Sequence, residues 1–210
     1  MTFVLLGWAA GELWTSSIGS SEIELMREIA LHRTQGLIDS ARTVTWAGSS
    51  YVLIPVALLA CWLLLRRGLR RQAAAVALSM AGGVIISNSV KLLVARPRPP
   101  VEHLQTVSSF SFPSGHATQT SALWVSLALT VLLSGASPGW KWLVGAGALA
   151  VTGIVSLSRV YLGVHFPSDV VAGVILGGGW ATFVAFCVVL PHPDREDLLP
   201  TTDVAGPQTQ

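Results

Sequence analysis

Lys91-Leu92-Leu93-Val94-Ala95-Arg96-Pro97-Arg98-Pro99 closes an uncharged run that begins at Gln72 and turns abruptly cationic. Residues 72–90 are long enough to cross a bilayer as a helix, which needs roughly 20 apolar residues. A residue that precedes proline is pushed out of the helical region, so the helix containing Lys91 must stop before Pro97. Lys91 and Arg98 therefore stand at the exit of a membrane span. Three more uncharged runs lie downstream, from Ala117 to Leu133, Trp142 to Leu157 and Val170 to Leu190. Between them lie Pro113-Ser114-Gly115-His116, then Ser158-Arg159, then His165 and Asp169.

The composition agrees. Only 11% of residues are charged and 51% are hydrophobic, against about 25% charged in an average soluble domain. A net charge of +2, with no long basic stripe, argues against a nucleic-acid partner. Cys61 and Cys187 sit in apolar runs without Cys or His neighbours, so no disulfide framework or zinc site is expected.

Upstream, Ala47 to Leu65 is uncharged, flanked by Trp46 as an interface anchor and Arg66 as a stop, with Pro55 as a candidate kink. Ser21-Glu22-Ile23-Glu24 reads as a capping box opening an interfacial helix over about 21–35, lying on the membrane surface and ended by Gly36. Met1 to Ala10 has no Lys or Arg, so it lacks the basic start of a signal peptide and reads as a short first span, interrupted by Glu12. The whole is expected to be all-α, a six-helix membrane bundle over residues 1–192 with a mobile acidic tail at 193–210. Ser79 and Gly83, then Gly173 and Gly177, have the small-xxx-small spacing of closely packed membrane helices.

Counting spans puts Lys91, Arg98, Ser114, His116, Arg159, His165 and Asp169 on one side of the membrane. Arg66, Arg67, Arg70 and Arg71, with Lys141 and Arg195, lie on the other. The site face has Arg27, Arg33, Arg42 and Arg96 in addition to its motif cations. If the motif cations are set aside as functional, the Arg66–Arg71 cluster points to the cytoplasm and the site faces outward across a plasma membrane.

Ionisable residues near a bilayer are costly, and cations without acidic partners imply an anionic ligand. Pro113 suits the first position of a helix, which would put Ser114, Gly115 and His116 in a first turn, where free N–H groups and the helix dipole favour a phosphate. A neutral imidazole at His165 can attack phosphorus if Asp169, four residues on, holds its other nitrogen in the right tautomer. His116 can protonate the leaving oxygen and later take a proton from water. Lys91, Arg98, Arg159, the Ser114 hydroxyl and the Gly115 N–H would stabilise the equatorial oxygens. Cations repel a metal and replace its function, so the reaction is expected to need no metal and no other cofactor.

Lys91-x6-Arg98-Pro99, Pro113-Ser114-Gly115-His116 and Ser158-Arg159-x5-His165-x3-Asp169 together resemble the three-part signature of the type 2 phosphatidic acid phosphatase superfamily. The resemblance implies a six-helix membrane fold, a phosphohistidine at His165 partnered by Asp169, His116 as acid and base, and phosphate contacts from Lys91, Arg98, Ser114, Gly115 and Arg159 without metal. It implies a lipid phosphate or polyprenyl diphosphate as substrate. The motifs read only the phosphate, and head-group selectivity is expected in the Pro100–Phe112 loop, with Glu102 and His103 read as solvated. Two rival readings are a haloperoxidase sharing this pocket, which the membrane spans oppose, and a catalytically silent protein that binds or transports a lipid phosphate. The latter would not need His116, His165 and Asp169 together.

Overall fold

The computed structural model describes residues 17–190. The expected first span with Glu12 and the tail at 193–210 lie outside the described residues. Within them the chain forms α1 (Ser17–Leu31), α2 (Gln35–Trp46), α3 (Ser50–Arg66), α4 (Arg70–Val94), α5 (Gly115–Leu132), α6 (Pro138–Tyr161) and α7 (Pro167–Val188). The all-α reading holds, and the spans read from the apolar runs correspond to α3 through α7 within a few residues.

By length and composition α4, α6 and α7 can each cross a membrane, and α2 with α3 passes as a fourth span bent by 41° at the break between them. The 18-residue α5 owes its more polar sequence to its place. It packs against α3, α4, α6 and α7, so Thr118, Thr120, Ser121 and Ser126 are buried in protein. Ser121 donates to Val174 O of α7 at 2.9 Å, the kind of bond that joins helices where no water competes.

Close approach is set by the small residues. A Cβ on Gly177 would lie 2.1 Å from Thr118 O, and one on Gly173 would lie 2.8 Å from Ser114 O. Ser79 is fully buried, and a Cβ on Gly83 would meet Ala122 Cβ at 3.0 Å. Leu53, Ala57, Val76, Met80 and Leu123 bind α3, α4 and α5 into one cluster. Large apolar side chains such as Leu58, Leu92, Trp142, Leu149 and Ile175 face outward, as lipid-facing surfaces do.

Two local expectations are corrected. Helix α1 already runs at Ser17, so Ser21 lies in its second turn and is not its cap. Gly36 ends no helix; it sits in the first turn of α2, after the extended Thr34. Helix α1 docks on the bundle with Met26 and Glu22 buried, Met26 packing with Ala117, Val160, Phe166 and Val170. A glycine between two helices is equally compatible with a stop and a start, and only the docking of α2 on α6 decides between them.

Candidate active site

The C-terminal ends of α4 and α6 and the N-terminal ends of α5 and α7 meet at one end of the bundle, and every residue expected at the site is there. Pro167 opens α7 and puts Asp169 in its first turn, as expected. The entry to α5 differs: Ser114 is its N-cap, accepting from Ala117 N–H, so Pro113 lies outside the helix. The Ser114 N–H is engaged by Asp169 O at 2.9 Å. That leaves the first-turn N–H groups of Gly115 and His116 without intrahelical acceptors. The stem of Lys91 runs past Gly115, where a Cβ would lie 3.9 Å from Lys91 Cε.

His165 is 2% exposed and Asp169 fully buried. Nδ1 of His165 lies 3.4 Å from Asp169 Oδ2, longer than a well-formed hydrogen bond but of the kind that tightens when a substrate binds. Oδ2 also accepts from the Phe166 N–H at 2.9 Å and from the Ser111 hydroxyl. Burial lowers the pKa of His165 to about 4, against the raising influence of Asp169. The ring is therefore neutral at pH 7, with a lone pair on one nitrogen. His116 stands within electrostatic reach of His165, Arg159, Lys91 and Arg98.

All three cations are held by one stretch of the polar loop. Lys91 Nζ donates to Phe110 O at 2.6 Å, Arg98 Nε to Ser109 O at 2.8 Å, and Arg159 Nη1 to Gln105 Oε1. Arg98 also reaches Val164 O, beside His165, and Arg159 reaches Thr45 Oγ1 of α2 at 2.8 Å. The acceptors are neutral, and an anionic phosphate oxygen makes a stronger bond to the same donors. Glu102 and His103 are exposed, with His103 Nε2 against Pro99 O.

Sequence reasoning passed over four residues here: Thr45, Gln105, Arg96 and Glu22. In the sequence Arg96 reads only as a topology charge. Ala95, left-handed at φ 48°, turns the chain at the end of α4, and Arg96 is buried with Nη1 2.5 Å from Asp169 Oδ1. Its Nη2 lies 2.9 Å from Glu22 Oε2 of α1. The available signal was a second arginine, directly before the first of the two prolines that follow an apolar span, and an acid in a helix otherwise read as interfacial. Among the described residues no group of three or more His, Cys, Asp or Glu could hold a metal ion.

The sequence profile of the PAP2 superfamily matches residues 72–191, which contain all three motifs. The chain belongs to the PAP2 superfamily. An undecaprenyl-diphosphatase of Sulfolobus acidocaldarius is 35% identical over 155 residues, 71% of this chain and 69% of that protein. Phosphatidylglycerophosphatase B of Bacillus subtilis is 29% identical over 176 residues, 80% of this chain and 83% of its own length. Among solved structures, the transmembrane PAP2-type phosphatidylglycerolphosphate phosphatase from Bacillus subtilis superposes with a TM-score of 0.78 at 25% identity, over 96% of each chain. The PAP2 fold is thus shared, and this member is a multi-pass membrane protein.

Proposed function

We propose that this chain is an integral-membrane phosphatase that removes phosphate from a lipid phosphate or polyprenyl diphosphate through a phosphohistidine at His165. The observation that carries this reading is the buried His165–Asp169 pair, ringed by His116, Lys91, Arg98 and Arg159 at one end of an apolar bundle. The names of its relatives, an undecaprenyl-diphosphatase and a phosphatidylglycerophosphatase, support the substrate class. A tail can lie in an apolar groove of about 470 Å³ that opens between α1, α2 and α6, lined by Ile29, Leu37, Val44 and Leu157 and reaching Ser158 beside Arg159.

In this reading the reaction starts from a neutral His165. His165 keeps its proton on Nδ1 toward Asp169, so the Nε2 lone pair attacks phosphorus in line with the leaving oxygen. The P–O bond breaks as His116, which takes up a proton beside the bound phosphate anion, gives it to that oxygen. Water then attacks phosphorus while His116 takes a proton from it; the P–N bond breaks with its electron pair returning to Nε2, which releases phosphate and restores neutral His165. Lys91, Arg98, Arg159 and the Gly115 and His116 N–H groups hold the equatorial oxygens in place of the loop acceptors. Cations in these positions do the charge neutralisation that a metal supplies elsewhere, and we read the reaction as metal-independent.

The site faces away from the cytoplasm across the plasma membrane in this reading. Arg33 is bound to Tyr161 O and Glu102 O, Arg42 to Leu104 O and Arg96 to buried acids. Of the site-face cations outside the motifs, that leaves Arg27 against the Arg66–Arg71 cluster, which favours the cluster as the cytoplasmic side.

The test is phosphate release by the purified protein in detergent with chelator present, wild type beside His165→Ala, from phosphatidic acid, phosphatidylglycerol phosphate and a polyprenyl diphosphate. Release by wild type alone is expected. Lipid binding without release from any of them would favour the silent binder and overturn the phosphatase.

A further inference from the structure

Behind Asp169 a chain of buried charges leads away from the site to the first described helix. Arg96 Nη1 lies 2.5 Å from Asp169 Oδ1 and 3.0 Å from Ser168 Oγ. Arg96 Nη2 lies 2.9 Å from Glu22 Oε2. Glu22 in turn accepts from the Ser168 N–H at 2.9 Å and from its hydroxyl at 2.8 Å, and the guanidinium stacks 4.0 Å over the Phe166 ring. The side chains of Glu22, Arg96 and Asp169 are 11%, 9% and 0% exposed.

We propose that Arg96 and Glu22 are positioning residues for the reaction, acting on His165 through Asp169 as one charge-balanced chain. The proposal rests on the reading of His165 as nucleophile.

Two physical arguments carry it. The first is geometric: a carboxylate can rotate, and the Phe166 N–H and Ser111 hydroxyl that hold Oδ2 are joined by an anchor on Oδ1 that completes the fixing of its plane toward His165. Arg96 is that anchor, and its guanidinium is itself held from behind by Glu22 and from the side by Phe166. The second is electrostatic. Asp169 alone carries −1, and that negative field stabilises the cationic imidazole that forms as Nε2 attacks. Arg96 alone would cancel it. Glu22 returns the triad to −1, so the carboxylate is fixed in place without losing its field. A buried ion pair is weak evidence of a stabilising device, since apolar residues of similar size often serve as well or better. A three-membered chain attached to the one carboxylate at the site therefore calls for a role in that site.

The other charged or titratable groups facing His165 and Asp169 are Lys91 of α4, Arg98 of the segment after it, His116 of α5 and Arg159 of α6. They are common to every variant below, so differences between variants report on the chain itself.

The experiment measures formation of the phosphorylated protein by rapid quench, as a function of pH, in full-length detergent-solubilised wild type, Glu22→Gln, Arg96→Gln and the double variant. Each single variant is expected to lose roughly 10- to 100-fold in rate, the usual cost of disturbing a residue that orients a reacting group. Glu22→Gln leaves a net charge of 0 on the chain, so the acid limb of the profile moves to lower pH. Arg96→Gln leaves −2, so the limb moves to higher pH; each shift is about one unit. The double variant restores −1, and its limb returns to that of wild type with part of the lost rate. A tie that merely docks α1 on α7 would give no opposed shifts. Unmoved limbs, limbs that move in the same direction, or a double variant whose loss is the product of the single losses would overturn the proposal. If Arg96→Gln does not fold, the near-isosteric Glu22→Gln decides by the direction of its shift alone. His165→Ala separates the two failures: activity in that variant overturns the nucleophile assignment, whereas an inactive His165→Ala beside unmoved limbs overturns only the chain.

Discussion

Nδ1 of His165 faces Oδ2 of Asp169 across 3.4 Å, four residues apart and both out of contact with solvent. That spacing folds the segment just before α7 back onto the helix's first turn, so the helix N-terminus and the pair are built together. Asp169→Asn keeps the size of the side chain but can turn its NH₂ toward Nδ1 and impose the wrong tautomer. The expected outcome is a loss on the order of 10⁴ in kcat at full expression and unchanged gel-filtration behaviour. Rapid-quench labelling should give an acid-labile phosphoprotein in wild type and none in His165→Ala.

Burial holds His165 neutral down to about pH 4, while an unfolded histidine takes up its proton near 6.5. The nucleophile is therefore available at neutral and mildly acidic pH and is lost as pH falls through about 4. Single-turnover phosphorylation should show its His165 limb there, and a limb near 6.5 would contradict the buried environment. The sign for stability is that of a paired carboxylate, since in both the folded-state pKa lies below the unfolded one: the unfolded chain gains protons that the folded one refuses, so this residue works against the fold progressively from about pH 6.5 down to about 4. Detergent thermal melts across that window should show a declining Tm.

Arg159 binds Thr45 of α2 and Gln105 of the loop with the same Nη1, and it is 2% exposed. Lysine keeps the charge but cannot reproduce the rigid fork. Arg159→Lys is expected to lower kcat by about 10² to 10³, the scale of one lost oxyanion donor. It should weaken inhibition by vanadate, which mimics trigonal-bipyramidal phosphorus. Unchanged vanadate affinity would remove Arg159 from the phosphate-binding set.

A Cβ at Gly177 would stand 2.1 Å from the carbonyl oxygen of Thr118, whereas one at Gly179, two residues on, meets nothing within 4 Å. Gly177→Ala must push α5 and α7 apart and is expected to cost about 1–3 kcal/mol, seen as a lower Tm in detergent. Gly179→Ala should melt like wild type. Equal melting of the two would mean that the α5–α7 seam is looser than described.

The outward orientation can be read from side-specific labelling of intact cells. In a Cys61→Ala, Cys187→Ala background, Ser108→Cys lies in the exposed site loop and Gly135→Cys in the exposed turn between α5 and α6. A membrane-impermeant maleimide should label Ser108→Cys without lysis and Gly135→Cys only after it. The reverse pattern would place the site in the cytoplasm.

The sequence by itself determined the spans and the end at which the site forms. A bilayer demands apolar runs of a set length, and alternation of loops across it sorts motif residues by parity, so Lys91, Ser114, Arg159 and Asp169 fall together before any packing is known. Local rules reached the opening of α7 at Pro167 for the same reason, since a first-turn proline and an acid at the third position act within a few residues. They failed at Gly36 and Ser21, where the local signal is ambiguous and docking on the bundle decides. Only the tertiary structure decided which charges pair. Arg96 meets Asp169 across 73 residues and Glu22 across 74, and Arg159 meets Thr45 across 114. An arginine near a membrane surface has the same sequence signature whether it anchors in lipid head groups or sits under a carboxylate. What separates these fates is burial in a low-dielectric interior, where an unpaired charge is intolerable. That burial exists only once α1, α4 and α7 have packed.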